Sequence, residues 1–326
     1  WSSDVCSSDL SDVMQIVILD SDTCGSGLDF SAFSKLAPTV IHGNLTQPDE
    51  ILAAVANASV IVVNKAVLDA KLIQQLPASV RLIAVSATGY DNIDVDAAAA
   101  RNIRVVNTPG YGTNAVAQMT LALILNCATQ LTTQVSLLRS AGWNKEEGLS
   151  IPMSELAGKT LGIVGLGAIG SRVAELALAF GMQVIAYTRT AKNLDNVEEV
   201  GLAELAARSD YVSLHCALAQ ENSKLINREF LANMKSSAFI INTARGGLID
   251  EDALIDALQR KIIAGAALDV LTIEPPSSDH LLLTMSNVIV TPHIAWGPLE
   301  SRQRCLDITE SNIASFMYGE AQNLIN

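Results

Sequence analysis

Aromatic and basic residues are scarce in this chain of 326 residues: Phe, Trp and Tyr make up 4%, and 21 Lys and Arg stand against 34 Asp and Glu, for a formal net charge of −13. A surface of that sign repels phosphate backbones and anionic lipid, so no nucleic acid and no membrane is expected as a partner. An anionic small molecule would need a local cationic site, which gives weight to any Arg, Lys or His that falls in a loop. The five cysteines, Cys6, Cys24, Cys127, Cys216 and Cys305, are odd in number and form no Cys-x-x-Cys pair. Neither a disulfide framework nor a metal site is expected, and a reducing cytoplasm fits. No stretch reaches the ~18 consecutive apolar residues of a membrane span. The richest, residues 116–131, is interrupted by Gln118, Asn126 and Gln130 and reads as a buried or interface helix.

What is present is apolar material, 49% of the chain, enough for packed cores. Length alone suggests about two domains. Residues 1–13 are rich in Ser and Asp and lack the apolar core of a signal peptide. They are expected to be an extraneous appendage, with Met14 the true start. Two blocks of alternating strand and helix patterns come after them. In the first, residues 15–20, 59–64, 81–86 and 104–107 read as strands, and 48–58, 68–76 and 94–101 as helices. Thr108-Pro109-Gly110 punctuates the boundary. One long helical pattern then covers 113–140, with a loop around 146–152 after it. The second block carries six strand patterns: 160–165, 183–187, 210–215, 238–243, 265–270 and 288–291. Short apolar strands separated by helices imply parallel sheets covered on both faces, and six of them suit a doubly wound dinucleotide domain. Residues 298–318 read as a closing helix.

Gly165-Leu-Gly167-Ala168-Ile169-Gly170 places G-x-G-x-x-G between a strand and a helix. The first glycine permits the turn, the second lets backbone approach a pyrophosphate, and the third lets helix and strand pack closely. The helix N-terminus offers unpaired N–H groups to the anion. An NAD-preferring site has an acidic residue about 20 positions on, for the ribose 2′-OH; this chain has Thr188-Arg189-Thr190 there. No carboxylate repels a 2′-phosphate, and Arg189 is able to pair with one. NADP is therefore favoured over NAD, the alternative being that Arg189 is a solvated charge and NAD is used.

Ligands of open α/β sheets bind outside the carboxyl ends of the strands. In the second block those ends carry Gly165, Thr188, His215, Thr243-Ala244-Arg245, Asp269 and Thr291-Pro292-His293. Hydride transfer to a 2-oxo acid needs a cation for the carboxylate, a general acid for the developing alkoxide, and a group that orients that acid. Arg245 suits the first role, because a planar guanidinium grips carboxylate in bidentate fashion. Of the four histidines, only His215 and His293 end strands of this block. Glu274, in the Pro-flanked Glu274-Pro275-Pro276 shortly after the strand that ends at Asp269, is a candidate carboxylate to stand beside His293. Taken singly, each has an ordinary reading: a loop salt bridge, a boundary histidine, a solvated loop residue. The case rests on their occurring together.

The motifs Ala87-Thr88-Gly89-Tyr90-Asp91-Asn92-Ile93-Asp94, Gly165–Gly170, Asn242-Thr243-Ala244-Arg245-Gly246-Gly247-Leu248-Ile249-Asp250-Glu251, Leu268-Asp269-Val270 with Glu274-Pro275, and Thr291-Pro292-His293-Ile294-Ala295-Trp296 resemble the D-isomer-specific 2-hydroxyacid dehydrogenase family. The likeness runs from Met14 to the C-terminus. It implies an α/β fold of two doubly wound parallel-sheet domains with a cleft between them: a flavodoxin-like substrate domain of residues 14–110 completed by 292–326, and a Rossmann-type NAD(P)-binding domain of 111–291. It implies Arg245, Glu274 and His293 as the catalytic set. Substrate would meet Lys65, Ala87, Thr88 and Gly89 as well as Arg245 and His293, with backbone N–H groups of the 87–89 loop on its carboxylate. Asp269 would contact the nicotinamide carboxamide. Val116, His215, Cys216, Thr243, Ala244 and Ala295 would line the cofactor cleft with the glycine turn. Residues 113–140 resemble the family's dimerisation arm, implying a homodimer. The likeness is greatest to glycerate dehydrogenases, also called hydroxypyruvate reductases, which implies hydroxypyruvate or glyoxylate reduction or D-glycerate oxidation. Phosphoglycerate or lactate substrates, and a dinucleotide-sensing corepressor, are the alternatives. Thr188 and Leu271-Thr272-Ile273 depart from the family pattern.

Overall fold

The computed structural model describes residues 14–326; the expectation for residues 1–13 lies outside them. The chain forms two compact units, one of the described residues through Gly112 together with Gly297–Asn326, the other Thr113–Trp296.

The first unit is a parallel sheet of β1 (Ile16–Ile18), β2 (Thr39–Ile41), β3 (Val60–Val63), β4 (Leu82–Val85) and β5 (Arg104–Val106), in the order β2-β1-β3-β4-β5. Its central strands are runs of Val, Ile and Leu buried on both faces, so helices must cover both. Val17, Ile61, Ile83 and Val85 pack with Ile51 and Ile73 on one side. Ile16, Ile18, Val60 and Leu82 pack with Phe33 and with Leu306 and Ile313 of the Leu299–Met317 helix on the other. Two short helices start where the sequence offers an acceptor: Asp69 caps Ala70–Gln75 through Leu72 N, and Asp94 caps Val95–Ala100 through Ala97 N. The strand order 2-1-3-4-5 is the flavodoxin-like one, with its topological switch between β1 and β3.

The second unit has seven parallel strands: β6 (Thr160–Val164), β7 (Gln183–Tyr187), β8 (Val197–Glu199), β9 (Tyr211–Leu214), β10 (Phe239–Asn242), β11 (Gly265–Leu268) and β12 (Val288–Val290). Their order is β12-β11-β10-β9-β6-β7-β8. Counting from β6, this is the Rossmann order 3-2-1-4-5-6 with a seventh strand added, and the switch falls between β6 and β9. The Thr113–Thr129 helix is apolar around most of its circumference and buries Val116, Thr120, Leu121 and Ile124. Among the described residues no single helix is long and apolar enough to cross a membrane.

Four expectations are corrected. β2 and β8 are strands the sequence pattern does not announce; each is a three-residue edge strand with a largely open face, too short for an alternation to register. The Ser31–Leu36 helix is likewise unannounced. The single helical pattern over 113–140 is two helices, Thr113–Thr129 and Leu131–Ala141, bent by 55°. Gln130 between them is left-handed at φ 53°, and the Asn126 carboxamide accepts from Thr132 N at 2.9 Å to start the second. The loop over 146–152 contains a helix, Lys145–Ser150. Asn144 accepts from Glu147 N at 3.1 Å and donates to the Glu147 carboxylate at 3.0 Å, a capping arrangement legible as Asn-x-x-Glu.

Candidate functional site

At the switch point of the second unit, β6 ends in Gly165 at φ +100°. A Cβ there would stand 2.9 Å from Cys216 N and 3.0 Å from the His215 carbonyl carbon, so the turn is pressed against the loop after β9. A Cβ on Gly170 would land on the Gly165 carbonyl oxygen. On Gly167 it would meet nothing within 4 Å, and Gly167 caps the twelve-residue Ala168–Ala179 helix. The turn is therefore closed where it packs and open where N–H groups of a helix N-terminus face outward. This fits a dinucleotide pyrophosphate, with Ala168 and Ile169 in the helix's first turn.

Around that turn the structure gathers other predicted cofactor residues. His215 Nε2 lies 2.8 Å from Ser213 Oγ. Part of the residue reaches solvent, but its ring is enclosed enough that burial pushes its pKa down to about 3, so it is neutral. Burial also raises the Cys216 thiol. Thr243 ends β10, with its hydroxyl 2.9 Å from that of Thr120, whose hydroxyl also donates to the Val116 carbonyl at 2.8 Å. The buried apolar helix thus meets the end of β10 at Thr120. Beyond β7, Thr188 Oγ1 donates to the Thr190 carbonyl at 3.2 Å. Arg189 reaches the Glu221 carboxylate at 3.4 Å, with 89% and 67% of the two side chains exposed; such a pair contributes little to stability.

His293 and Glu274, nineteen positions apart, meet as Nδ1 to Oε2 at 2.7 Å, and both side chains remain about a third exposed. Because a carboxylate only accepts, Nδ1 carries the proton in this bond and Nε2 points the other way. Glu274 is itself placed by its other oxygen, which accepts from Leu271 N at 3.0 Å. Glu251 accepts from Thr272 N and lies 3.4 Å from His280, holding the same loop from the Glu251–Gln259 helix. His293 sits at φ +53°, a left-handed conformation unusual for its type. Asp269, 1% exposed at the end of β11, holds it there. The Asp269 carbonyl accepts from His293 N at 2.8 Å. Its carboxylate accepts from Thr291 Oγ1 at 2.6 Å, Ile294 N at 3.0 Å and Ala295 N at 2.8 Å.

Arg245 comes directly after β10, its guanidinium donating to the Ala244 carbonyl at 2.9 Å and its own carbonyl held by Asn242 Nδ2 at 2.9 Å. The next residue ties it to the Glu274 loop. A Cβ on Gly246 would fall on the Leu271 carbonyl and on Thr272 N, so only glycine lets that backbone pass beside Arg245. Arg245, Glu274 and His293 thus lie on the loops that follow the neighbouring strands β10, β11 and β12, with His293 and Glu274 bonded directly. Sequence reasoning missed Thr120, Glu251, His280 and Thr291. Thr291 and Glu251 stood in motifs already in view, without a role; Thr120 and His280 lie on a helix and a loop, where only packing reveals them.

The remaining predicted residues belong to the first unit. Lys65 comes after β3 and is exposed, between buried Asn64 and Ala66. Ala87, Thr88 and Gly89 come after β4, where Thr88 Oγ1 donates to the Thr108 carbonyl at 2.9 Å and Asn107 Nδ2 to the Thr88 carbonyl at 2.7 Å.

Comparison with known proteins agrees with this chemistry. Residues 121–295 match the family described as D-isomer specific 2-hydroxyacid dehydrogenase, NAD binding domain. A hydroxypyruvate reductase of Blautia hydrogenotrophica is 35% identical over 96% of this chain and 100% of its own length. A glycerate dehydrogenase of Methylorubrum extorquens is 37% identical over 85% of this chain and 88% of its own. Among solved structures, an NADPH-dependent glyoxylate/hydroxypyruvate reductase from Sinorhizobium meliloti, in complex with NADP and malonate, superposes with a TM-score of 0.83 at 30% identity, covering 96% of this chain and 97% of that one. The chain belongs to the D-isomer specific 2-hydroxyacid dehydrogenase family, NAD(P)-dependent oxidoreductases that exchange a hydride with C2 of small 2-hydroxy and 2-oxo acids.

Proposed function

We propose that this enzyme reduces hydroxypyruvate or glyoxylate, or oxidises D-glycerate in reverse, with Arg245, Glu274 and His293 as its catalytic set. The observation that carries the reading is the 2.7 Å His293–Glu274 bond at the strand ends that also bear Arg245. The cofactor, when bound at the glycine turn, supplies the hydride. Arg245 grips the substrate carboxylate and draws charge toward the carbonyl oxygen. His293 delivers a proton from Nε2 to that oxygen as it becomes an alkoxide, while Glu274 holds the ring's orientation. In the oxidative direction the same nitrogen accepts the alcohol proton. Lys65 and the backbone N–H groups of the 87–89 loop belong to the proposed substrate domain, residues 14–110 with 292–326, and Asp269, Thr243 and Ala244 to the nicotinamide end of the proposed cofactor domain, residues 111–291, with Ala295 just past its last residue.

NADPH is the proposed reductant. No acidic side chain stands just beyond β7, where Thr188 and exposed Arg189 are found instead, and one structural relative is NADPH-dependent. The proposed assembly is a homodimer through the bent arm. The Leu131–Ala141 helix buries none of its residues, and Leu131, Trp143 and Leu149 are 59%, 90% and 65% exposed. Apolar area on that scale is ordinarily covered by a partner. The proposed setting is the reducing cytoplasm, which keeps thiols such as Cys24, Cys127, Cys216 and Cys305 free.

A panel of 2-oxo acids assayed with NADH and NADPH tests the reading. Hydroxypyruvate or glyoxylate with NADPH should give the highest kcat/KM. A large NADH preference would overturn the cofactor assignment, and cofactor binding without turnover of any 2-oxo acid would overturn the enzyme assignment. Sedimentation at micromolar concentration should show two chains per particle.

A further inference from the structure

Lys65 is an exposed cation at the switch point of the first unit, and an aspartate outside the proposed catalytic set binds the backbone of the loop that carries it. Asp20 lies just beyond β1 and Lys65 just beyond β3, the two strands between which the flavodoxin-like order reverses. Asp20 is 1% exposed, a burial that charged side chains reach only when well partnered. Its partners are three successive backbone N–H groups: Asn64 N to Oδ1 at 2.9 Å, and Lys65 N and Ala66 N to Oδ2 at 2.6 and 2.7 Å. Consecutive N–H groups turned to one side form an anion-binding concavity. Here the protein's own carboxylate fills it, so these three N–H groups are taken and the loop offers a ligand the Lys65 side chain. The opposite side of the loop is also fixed. Asn92 Nδ2 donates to the Ala66 carbonyl at 2.8 Å, and Asn64 Nδ2 donates to Thr23 Oγ1 at 3.0 Å, which in turn donates to the Asp20 carbonyl at 2.7 Å.

We propose that Asp20 is a positioning residue: by occupying the backbone N–H groups of residues 64–66 it fixes Lys65 as a point charge for the anionic end of the 2-oxo acid. This rests on the proposed function, in which Lys65 meets substrate. A charge that binds ground state and transition state alike shows in KM rather than kcat. Asp20→Asn keeps the shape but turns an amide N–H toward backbone N–H groups, which loosens the loop.

The experiment uses the full-length enzyme with hydroxypyruvate and NADPH. Asp20→Asn is expected to raise the KM for hydroxypyruvate on the order of tenfold with kcat within about twofold, and to leave cofactor affinity, read by fluorescence quenching, unchanged. Asn92→Ala, which removes a weaker clamp on the same loop, is expected to move KM the same way by less, and carries the test if Asp20→Asn does not fold. Combined with Lys65→Ala, neither variant should raise KM further. A KM unchanged in both clamp variants, or raised by the same factor with Lys65 removed, overturns the proposal while leaving Lys65 a substrate residue. A wild-type KM for Lys65→Ala alone overturns the role of Lys65, and that of Asp20 with it.

Discussion

Replacing Asp269 by asparagine changes one oxygen into an N–H₂ group at a buried site where everything nearby donates. The carboxylate accepts from Thr291 Oγ1 at 2.6 Å, Ile294 N at 3.0 Å and Ala295 N at 2.8 Å, and His293 stands inside that set at φ +53°. With the amide oxygen in the Oδ1 position, Thr291 and Ile294 keep an acceptor but lose its charge, at ~1 kcal/mol each. The amide nitrogen then faces Ala295 N, leaving a buried donor without a partner at a further ~1–3 kcal/mol. The sum is at least about 3 kcal/mol, and it falls on a loop whose left-handed histidine already costs ~1 kcal/mol to hold. A loop that frays alone takes that loss as a fall in the fraction of enzyme with His293 aligned on Glu274. We expect kcat to fall by about 10- to 100-fold, close to the factor that ~3 kcal/mol allows. The cofactor KM should change by no more than a few-fold, and Tm should drop by only a few degrees. Steady-state kinetics with the cofactor varied, together with calorimetry, read all three. A wild-type kcat would refute the reasoning. A large rise in cofactor KM with kcat intact would show that the carboxylate serves the nicotinamide carboxamide and not the histidine loop.

The same geometry sets four other expected outcomes. His293→Gln should bind cofactor normally and lose orders of magnitude in kcat, as a missing proton donor does; near-normal kcat would remove His293 from its role. Arg245→Lys should damage both substrate KM and kcat, because a point charge cannot replace the planar fork; unchanged values would dismiss Arg245 as the carboxylate clamp. Gly246→Ala places a methyl on the Leu271 carbonyl, backbone that cannot step aside, so stability should fall by ~1–3 kcal/mol and kcat with it; a variant with wild-type Tm and kcat would show that Arg245 and the Glu274 loop are not coupled there. His215 is held at about 3 when folded, below its unfolded value of ~6.5. It contributes no pH dependence above ~6.5; as pH falls below that, the unfolded chain takes up the proton and stability drops by up to ~1.4 kcal/mol per unit. Urea titrations at pH 7, 6 and 5 should show a shallower acid loss in His215→Gln, and identical slopes would place His215 in contact with water.

The sequence is most readable where one residue's chemistry is enough. G-x-G-x-x-G needs no partner to announce a tight turn, and two of its glycines prove to be required by neighbours, Gly165 by the Cys216 backbone and Gly170 by the Gly165 carbonyl, while Gly167 faces open space. Long apolar strands such as β6 and β9 declare themselves because both faces are buried. Two of the edge strands, β2 and β8, do not; β5 and β12, equally short at the opposite edges, are read from their Val and Ile runs. The break at Gln130 escapes because left-handed glutamine has no pattern, and what specifies it is the Asn126 cap on Thr132. The catalytic candidates are legible because Arg245 and His293 stand just past the carboxyl ends of strands in the second block, where open sheets present their ligands. Asp20 holds the equivalent place past β1 in the first block, a charged residue beside a buried strand. Its role stays hidden because nothing in the chain order says that its carboxylate meets residues 64–66. The two units solve one problem in one way. Asp20 and Asp269, each 1% exposed at the end of a parallel strand, hold a neighbouring loop by its backbone N–H groups and leave a single basic side chain, Lys65 or His293, to face outward. In each unit a strand-end carboxylate thus binds the protein's own backbone, and the loop it fixes carries a side chain proposed to meet substrate.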